Sequence, residues 1–175
     1  MFTQYRERLH FKKAINATSL NFQSIDWTQK KIGTVGILAN ADSLAKKNVQ
    51  AFLNKIAKQT HNLQILAFEE TEADSSLSKD YPTFTKKETD WLWRPKGEKI
   101  ANFSKNSFDI LINLCQRNCY PLEYLAVTCS ASLKIGTLTT YPSNYDLMLE
   151  TDSLDNYISQ VAFFLVKFRS QHEQV

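Results

Sequence analysis

The run Ile32-Gly-Thr-Val-Gly-Ile-Leu-Ala39 carries almost no polar alternation, the pattern of a strand buried on both faces of a sheet. Such a strand requires helices on both sides of the sheet. Asn40-Ala-Asp-Ser43 supplies turn and N-cap residues, and a helix is predicted over about 43–59 with Leu44, Val49, Phe52, Leu53 and Ile56 on its apolar side. Leu63-Gln-Ile-Leu-Ala-Phe68 reads as a second strand, so this stretch forms a βαβ unit whose crossover is right-handed.

Residues 69–107 interrupt this rhythm. Glu69 to Asp80 is acidic and serine-rich, a solvated loop. Tyr81-Pro-Thr-Phe84 suits a short extended piece, and Glu98 to Lys105 a short helix. Further strands are predicted at 108–114, 133–138 and 145–149. Helices are predicted at about 121–131, with Pro121 suited to a first turn, and at about 153–170, capped by Asp152 or Ser153. Alternating strands and helices predict an α/β fold, a three-layer Rossmann-like or flavodoxin-like open sheet of about five mostly parallel strands. The expected organisation is a basic N-terminal helix and arm over 1–31, then one α/β domain over 32–175. One link strains the scheme. Only six residues, 139–144, separate the last two predicted strands, whereas adjacent parallel strands usually need a dozen or more. Two readings stand: the last strand is antiparallel, or the two are not neighbours.

Composition narrows the chemistry. The chain has 175 residues but only four glycines, Gly33, Gly36, Gly97 and Gly136, about a third of the ordinary ~7% usage. A dinucleotide fold places several glycines after its first strand, where this chain reads Ala39-Asn-Ala-Asp-Ser-Leu44. Gly33 and Gly36 lie inside the strand, where glycine suits close helix packing. There is no G-K-[ST] and no G-x-S-x-G. Histidines 10, 61 and 172 are scattered. Cys115, Cys119 and Cys129 lack the partners of a zinc site and read as buried reduced thiols. Cys115 lies just past a strand end, without a histidine placed to serve it. No catalytic residue, cofactor or metal is assigned. A charged N-terminus and the lack of a long apolar run point to the cytoplasm.

Two groups remain as candidate sites. Asn40, Asp42, Ser43, Glu69 and Asn113 fall near the carboxyl ends of the first three long strands, where open sheets bind ligands. The same residues also suit plain roles, with Asp42 and Ser43 capping a helix and Asn113 satisfying backbone. The second group concerns partners. Residues 1–31 carry six basic and two acidic side chains, against 15 and 16 in the rest of the chain, which concentrates the formal +3 charge in the arm. Phe2, Tyr5 and Leu9 make a short stripe on a helix over 2–17. Arg6, Arg8, Lys12 and Lys13 are its candidate contact residues. Residues 16–31 read as an arm lying over the domain. Trp91, Trp93 and Arg94 form a conspicuous aromatic and basic cluster, read either as a contact surface or as cover for a sheet edge.

The chain resembles an uncharacterised bacterial α/β family of about this length, a domain of unknown function. The likeness rests on the charged N-terminal helix, I-G-x-V-G-I-L at 32–38, F-T-K-K-E-x-D-W at 84–91, F-D-I-L-I-N-L at 108–114, and K-I-G followed by Y-D-L-M at 134–148. It implies no activity. Residues 108–136 are more weakly similar to the N-terminal half of heptosyltransferase-type glycosyltransferases. The glycine-containing loop after the first strand and the second, nucleotide-sugar domain of those enzymes are missing. The expected function is a non-enzymatic cytoplasmic interaction module that contacts a protein or ribonucleoprotein through its arm and Trp-rich segment. The rival is a small enzyme or ligand-binding protein acting on a phosphorylated or sugar-containing compound.

Overall fold

The computed structural model describes residues 32–70, 80–138 and 145–172. The predicted N-terminal helix and arm, with Arg6, Arg8, Lys12 and Lys13, lie outside the described residues, as does much of the acidic loop. The elements are β1 (Ile32–Asn40), α1 (Ala41–Leu44), α2 (Lys47–Gln59), β2 (Thr60–Glu69), β3 (Thr83–Thr85), a 3-10 turn (Lys86–Glu88), α3 (Glu98–Ser104), β4 (Ser107–Asn113), α4 (Tyr120–Thr128), β5 (Ser130–Thr137), β6 (Leu147–Leu149) and α5 (Leu154–His172).

Six strands form one open sheet in the order β3-β2-β1-β4-β5-β6, and every pairing is parallel. The short extended piece at 81–84 is the origin of β3. Strand pleat divides the core in two. Val35, Ile37, Ala39, Ile110, Ile112 and Ile135 pack beneath α1, α2 and α5. Leu38, Phe68, Phe84, Phe108 and Leu111 pack beneath α3 and α4 on the other face. Burial on both faces explains why β1 reads as an unbroken apolar run. The strand glycines act differently from expectation. They admit side chains from β4 rather than a close helix, because a Cβ on Gly36 would sit 2.8 Å from Leu111 and 2.9 Å from Phe108. At Gly33 the space is taken by Asp109, whose Oδ2 accepts the Thr34 N–H at 2.7 Å.

Two local expectations are corrected. The single helix over 43–59 is two helices, broken where Lys46 takes extended φ and ψ of −73° and 132°. Leu44 and Val49 both enter one core, but five residues along a continuous helix would turn them about 140° apart. The break restores the phase, and the Gln50 amide donates to the freed Leu44 carbonyl at 2.5 Å. The second correction concerns β6. It lies beside β5 and runs parallel to it, so neither the antiparallel nor the non-adjacent reading holds. The pairing covers only Ile135↔Leu147 to Thr137↔Leu149, so the chain retraces about 7 Å along the strand. The nine residues from 138 to 146 can span up to about 30 Å. The dozen-residue expectation belongs to full-length strands. Asp146 fixes the return, since its Oδ2 accepts the Lys134 N–H at 2.7 Å and its own N–H donates to the Lys134 carbonyl at 3.0 Å.

Candidate functional site

The chain winds outward from β1 through β2 to β3, then returns to β4 on the other side of β1. The carboxyl ends of β1 and β4 therefore mark the place where strand order reverses, the position at which open α/β sheets form a crevice. Asn40 and Asn113 arrive here, and both engage Cys115. The Asn40 amide donates to Cys115 Sγ at 3.2 Å, and Asn113 Oδ1 accepts the Cys115 N–H at 3.0 Å. The other three candidates stand apart. Asp42 is exposed on α1, Ser43 is half-buried there with its carbonyl accepting the Lys46 N–H, and Glu69 is half-buried at the end of β2. Among the described residues no hydrogen bond or ion pair joins them to Asn113. Asn40 is the N-cap of α1 but makes no side-chain capping bond.

Beneath the crevice lies a polar network that the sequence reading missed. Asn113 is 2% exposed, and its Nδ2 donates to the Tyr145 hydroxyl at 2.7 Å and more distantly to Glu123 Oε1 at 3.5 Å. The Tyr145 hydroxyl in turn donates to Glu123 Oε1 at 3.0 Å. Tyr157 reaches up from α5 to donate to the Asn113 carbonyl at 3.0 Å, and Thr137 donates to the Cys115 carbonyl at 3.1 Å. Burial, then the neighbouring Glu123, raises the pKa of both tyrosines, so both hydroxyls stay protonated and donate. Glu123 is itself 2% exposed, in the first turn of α4, where the helix dipole favours an acidic group. Three of the four hydrogen-bonding positions of the Asn113 amide are met inside the protein. The one sequence sign of this network is a glutamate set between Leu122 and Leu125 in an apolar helix.

The tryptophan cluster is a braced loop. Thr85 and Glu88 form a reciprocal capping box around the 3-10 turn. Thr89 and Pro95 make an antiparallel bridge, closed by Lys96 N–H to the Glu88 carbonyl at 2.8 Å. Asp90 organises the interior. Its Oδ1 accepts the N–H groups of Leu92 and Arg94, and its Oδ2 accepts Arg94 Nε at 2.7 Å with a second guanidinium nitrogen at 2.6 Å. Partial burial tends to raise the Asp90 pKa, but the hydrogen bonds from Arg94 and Leu92 outweigh it and hold the carboxyl below its usual range. These bonds fix Trp93 at φ 61°, a conformation costing ~1–3 kcal/mol in a non-glycine residue. Lys86 Nζ sits 4.6 Å from the Trp93 ring centre. Leu92 anchors the loop at 3% exposure, while Trp91 is 63% exposed. Leu92 is turned inward and Trp91 faces outward.

A groove of about 680 Å³ opens at the β2–β3 edge of the sheet, between α2 and α3, with Leu53, Ala57, Leu66, Tyr81, Lys99 and Phe103 among its walls. It exists because β3 pairs only with Ala67, Phe68 and Glu69, leaving the first part of β2 as an edge. Among the described residues there is no cluster of three metal-ligating side chains, and no helix is long and apolar enough to cross a membrane.

A six-stranded parallel sheet covered on both faces, with its order reversing at β1 and β4, defines a Rossmann-like α/β domain. The chain belongs to a family of unknown function (DUF6913), whose model matches residues 8–168. That match carries the resemblance to an α/β family of unknown function, not the likeness to heptosyltransferases. No curated protein and no solved structure matches the chain.

Proposed function

We propose that this protein is a non-enzymatic interaction module that contacts a protein partner, with the Trp91 loop as its main contact and the basic arm as a second. The observation carrying this reading is the combination of a mostly exposed tryptophan with a loop held rigid beneath it. A fixed aromatic loses little conformational entropy on binding, and tryptophan is among the residues most enriched at interface hot spots. Arg6, Arg8, Lys12 and Lys13 add positive charge that suits an acidic protein surface or a ribonucleoprotein. Three thiols, all buried, suit a reducing bacterial cytoplasm. The test is affinity capture from native cytoplasm with intact protein, Trp91→Ala and Asp42→Ala, each with and without nuclease. The expected result is capture lost in Trp91→Ala, kept in Asp42→Ala, and insensitive to nuclease. Nuclease sensitivity with a steep salt dependence would point to a ribonucleoprotein instead.

A second reading places a phosphorylated or sugar-containing ligand in the crevice near Asn40, Asp42, Ser43, Glu69 and Asn113. The reversal of strand order between β1 and β4 favours it. It requires binding that survives removal of residues 1–31 and fails in Asp42→Ala.

A further inference from the structure

We propose that the groove at the β2–β3 edge is the seat of this chain's own arm, with residues 20–27 added to the sheet as a further strand antiparallel to β2. The inference is independent of the interaction reading. The Ala67 N–H donates to the Pro82 carbonyl at 2.9 Å, so Ala67 turns its backbone toward the outer edge. Backbone groups alternate sides along a strand, which aims the N–H and C=O of His61, Leu63 and Ile65 the same way. β3 begins only opposite Ala67, and among the described residues nothing pairs with those three. Leu63 and Ile65 are half-buried and pack on the core from this uncovered edge. An edge of this kind is a template for another strand unless something covers it.

The groove is shaped for one more strand. Leu53 and Ala57 of α2 wall it on one side and Phe103 of α3 on the other, with residues 63–66 of β2 along its base. A segment filling it therefore buries apolar side chains on both of its faces. Residues 20–27, Leu-Asn-Phe-Gln-Ser-Ile-Asp-Trp, lie outside the described residues and have that pattern. Along a strand, Leu20 and Phe22 share one face while Ile25 and Trp27 share the other. Asp26 is the only charged side chain in residues 14–29, so the basic residues of the arm flank this segment and stay out of the groove.

The place where the arm joins the sheet selects it over a foreign peptide. The arm enters β1 at Ile32, whose register partner is Thr60, the first residue of β2. Neighbouring strands lie about 4.8 Å apart, so the outer side of β2 is about 10 Å from β1. Residues 28–31 span up to about 14 Å, enough for that crossing but too short to turn the segment round, which fixes the antiparallel direction. Thr60 stands at the crossing. It is 3% exposed, and among the described residues its buried Oγ1 has no hydrogen-bond partner. The backbone of the passing link supplies one.

The experiment irradiates full-length protein carrying a benzophenone amino acid at position 22, in dilute solution, and maps the crosslinked peptides by mass spectrometry. The expected product is a monomer in which position 22 is joined to α2, α3 or residues 60–66. Crosslinks between two copies, crosslinks to another face of the domain, or none within the chain overturn the proposal. Amide exchange gives a second reading. The N–H groups of His61, Leu63 and Ile65 are expected to exchange about tenfold or more slowly in the parent than in Phe22→Asp/Trp27→Asp, with Leu38 and Leu111 unchanged. Equal exchange at those three amides in both proteins overturns the proposal and leaves the edge to a partner's strand. If the double variant fails to fold, the crosslink alone decides.

Discussion

Individual residues here act through the partners that the fold assigns them. Tyr145 illustrates this, because its hydroxyl accepts from Asn113 and donates to Glu123 deep under the crevice. Tyr145→Phe removes both bonds and leaves a buried carboxyl and amide under-satisfied, so it is expected to cost ~1–3 kcal/mol in urea unfolding. The same groups give stability an alkaline limit. The pKa of Tyr145 is raised in the fold, so its contribution is complete below the unfolded tyrosine value of ~10 and is lost as pH climbs toward the folded value. The urea midpoint is expected to fall above about pH 10, less steeply in Tyr145→Phe than in the parent. A slope unchanged by the substitution would remove Tyr145 from that role. Asn113 could be placed at a strand end from sequence alone, but its partners come from α4, α5 and the segment before β6, so no local pattern revealed the network.

At the scale of elements, the strands and long helices followed from apolar patterning, while the departures came from packing. The α1–α2 break is invisible to a count of apolar residues, because only the shared core of Leu44 and Val49 demands it. Return of the chain from β5 to β6 was misjudged because strand length, rather than link length, decides how far the chain must travel. Gly36 marks how closely β1 and β4 pack. Gly36→Val is expected to cost ~1–3 kcal/mol or more through overpacking against Phe108 and Leu111, read as a lowered unfolding midpoint. The Trp91 loop depends on Asp90 in the same way. Asp90→Ala is expected to speed amide exchange at Leu92 and Arg94 by at least tenfold while leaving exchange in β1 and β4 unchanged. If the loop stays protected in that variant, its bracing lies elsewhere.

For the whole molecule, the scarcity of glycine and the fold agree. The turn after β1 holds Asn40 and α1 instead of a phosphate-cradling glycine loop, and the crevice beside it is floored by side chains already bonded to one another. The domain class was readable from alternation of strands and helices. The bracing of Trp91 was not, because it depends on backbone bonds to Asp90 and on a left-handed Trp93 that no residue pattern announces. The central claim is that this outward-facing loop, rather than the crevice, meets a partner. Its most direct test is a photo-crosslinking amino acid placed at position 91 or, separately, at position 42 in otherwise intact protein in living cells. The account predicts a discrete crosslinked protein from position 91 and none from position 42. Crosslinks from position 42 with none from position 91 would contradict it.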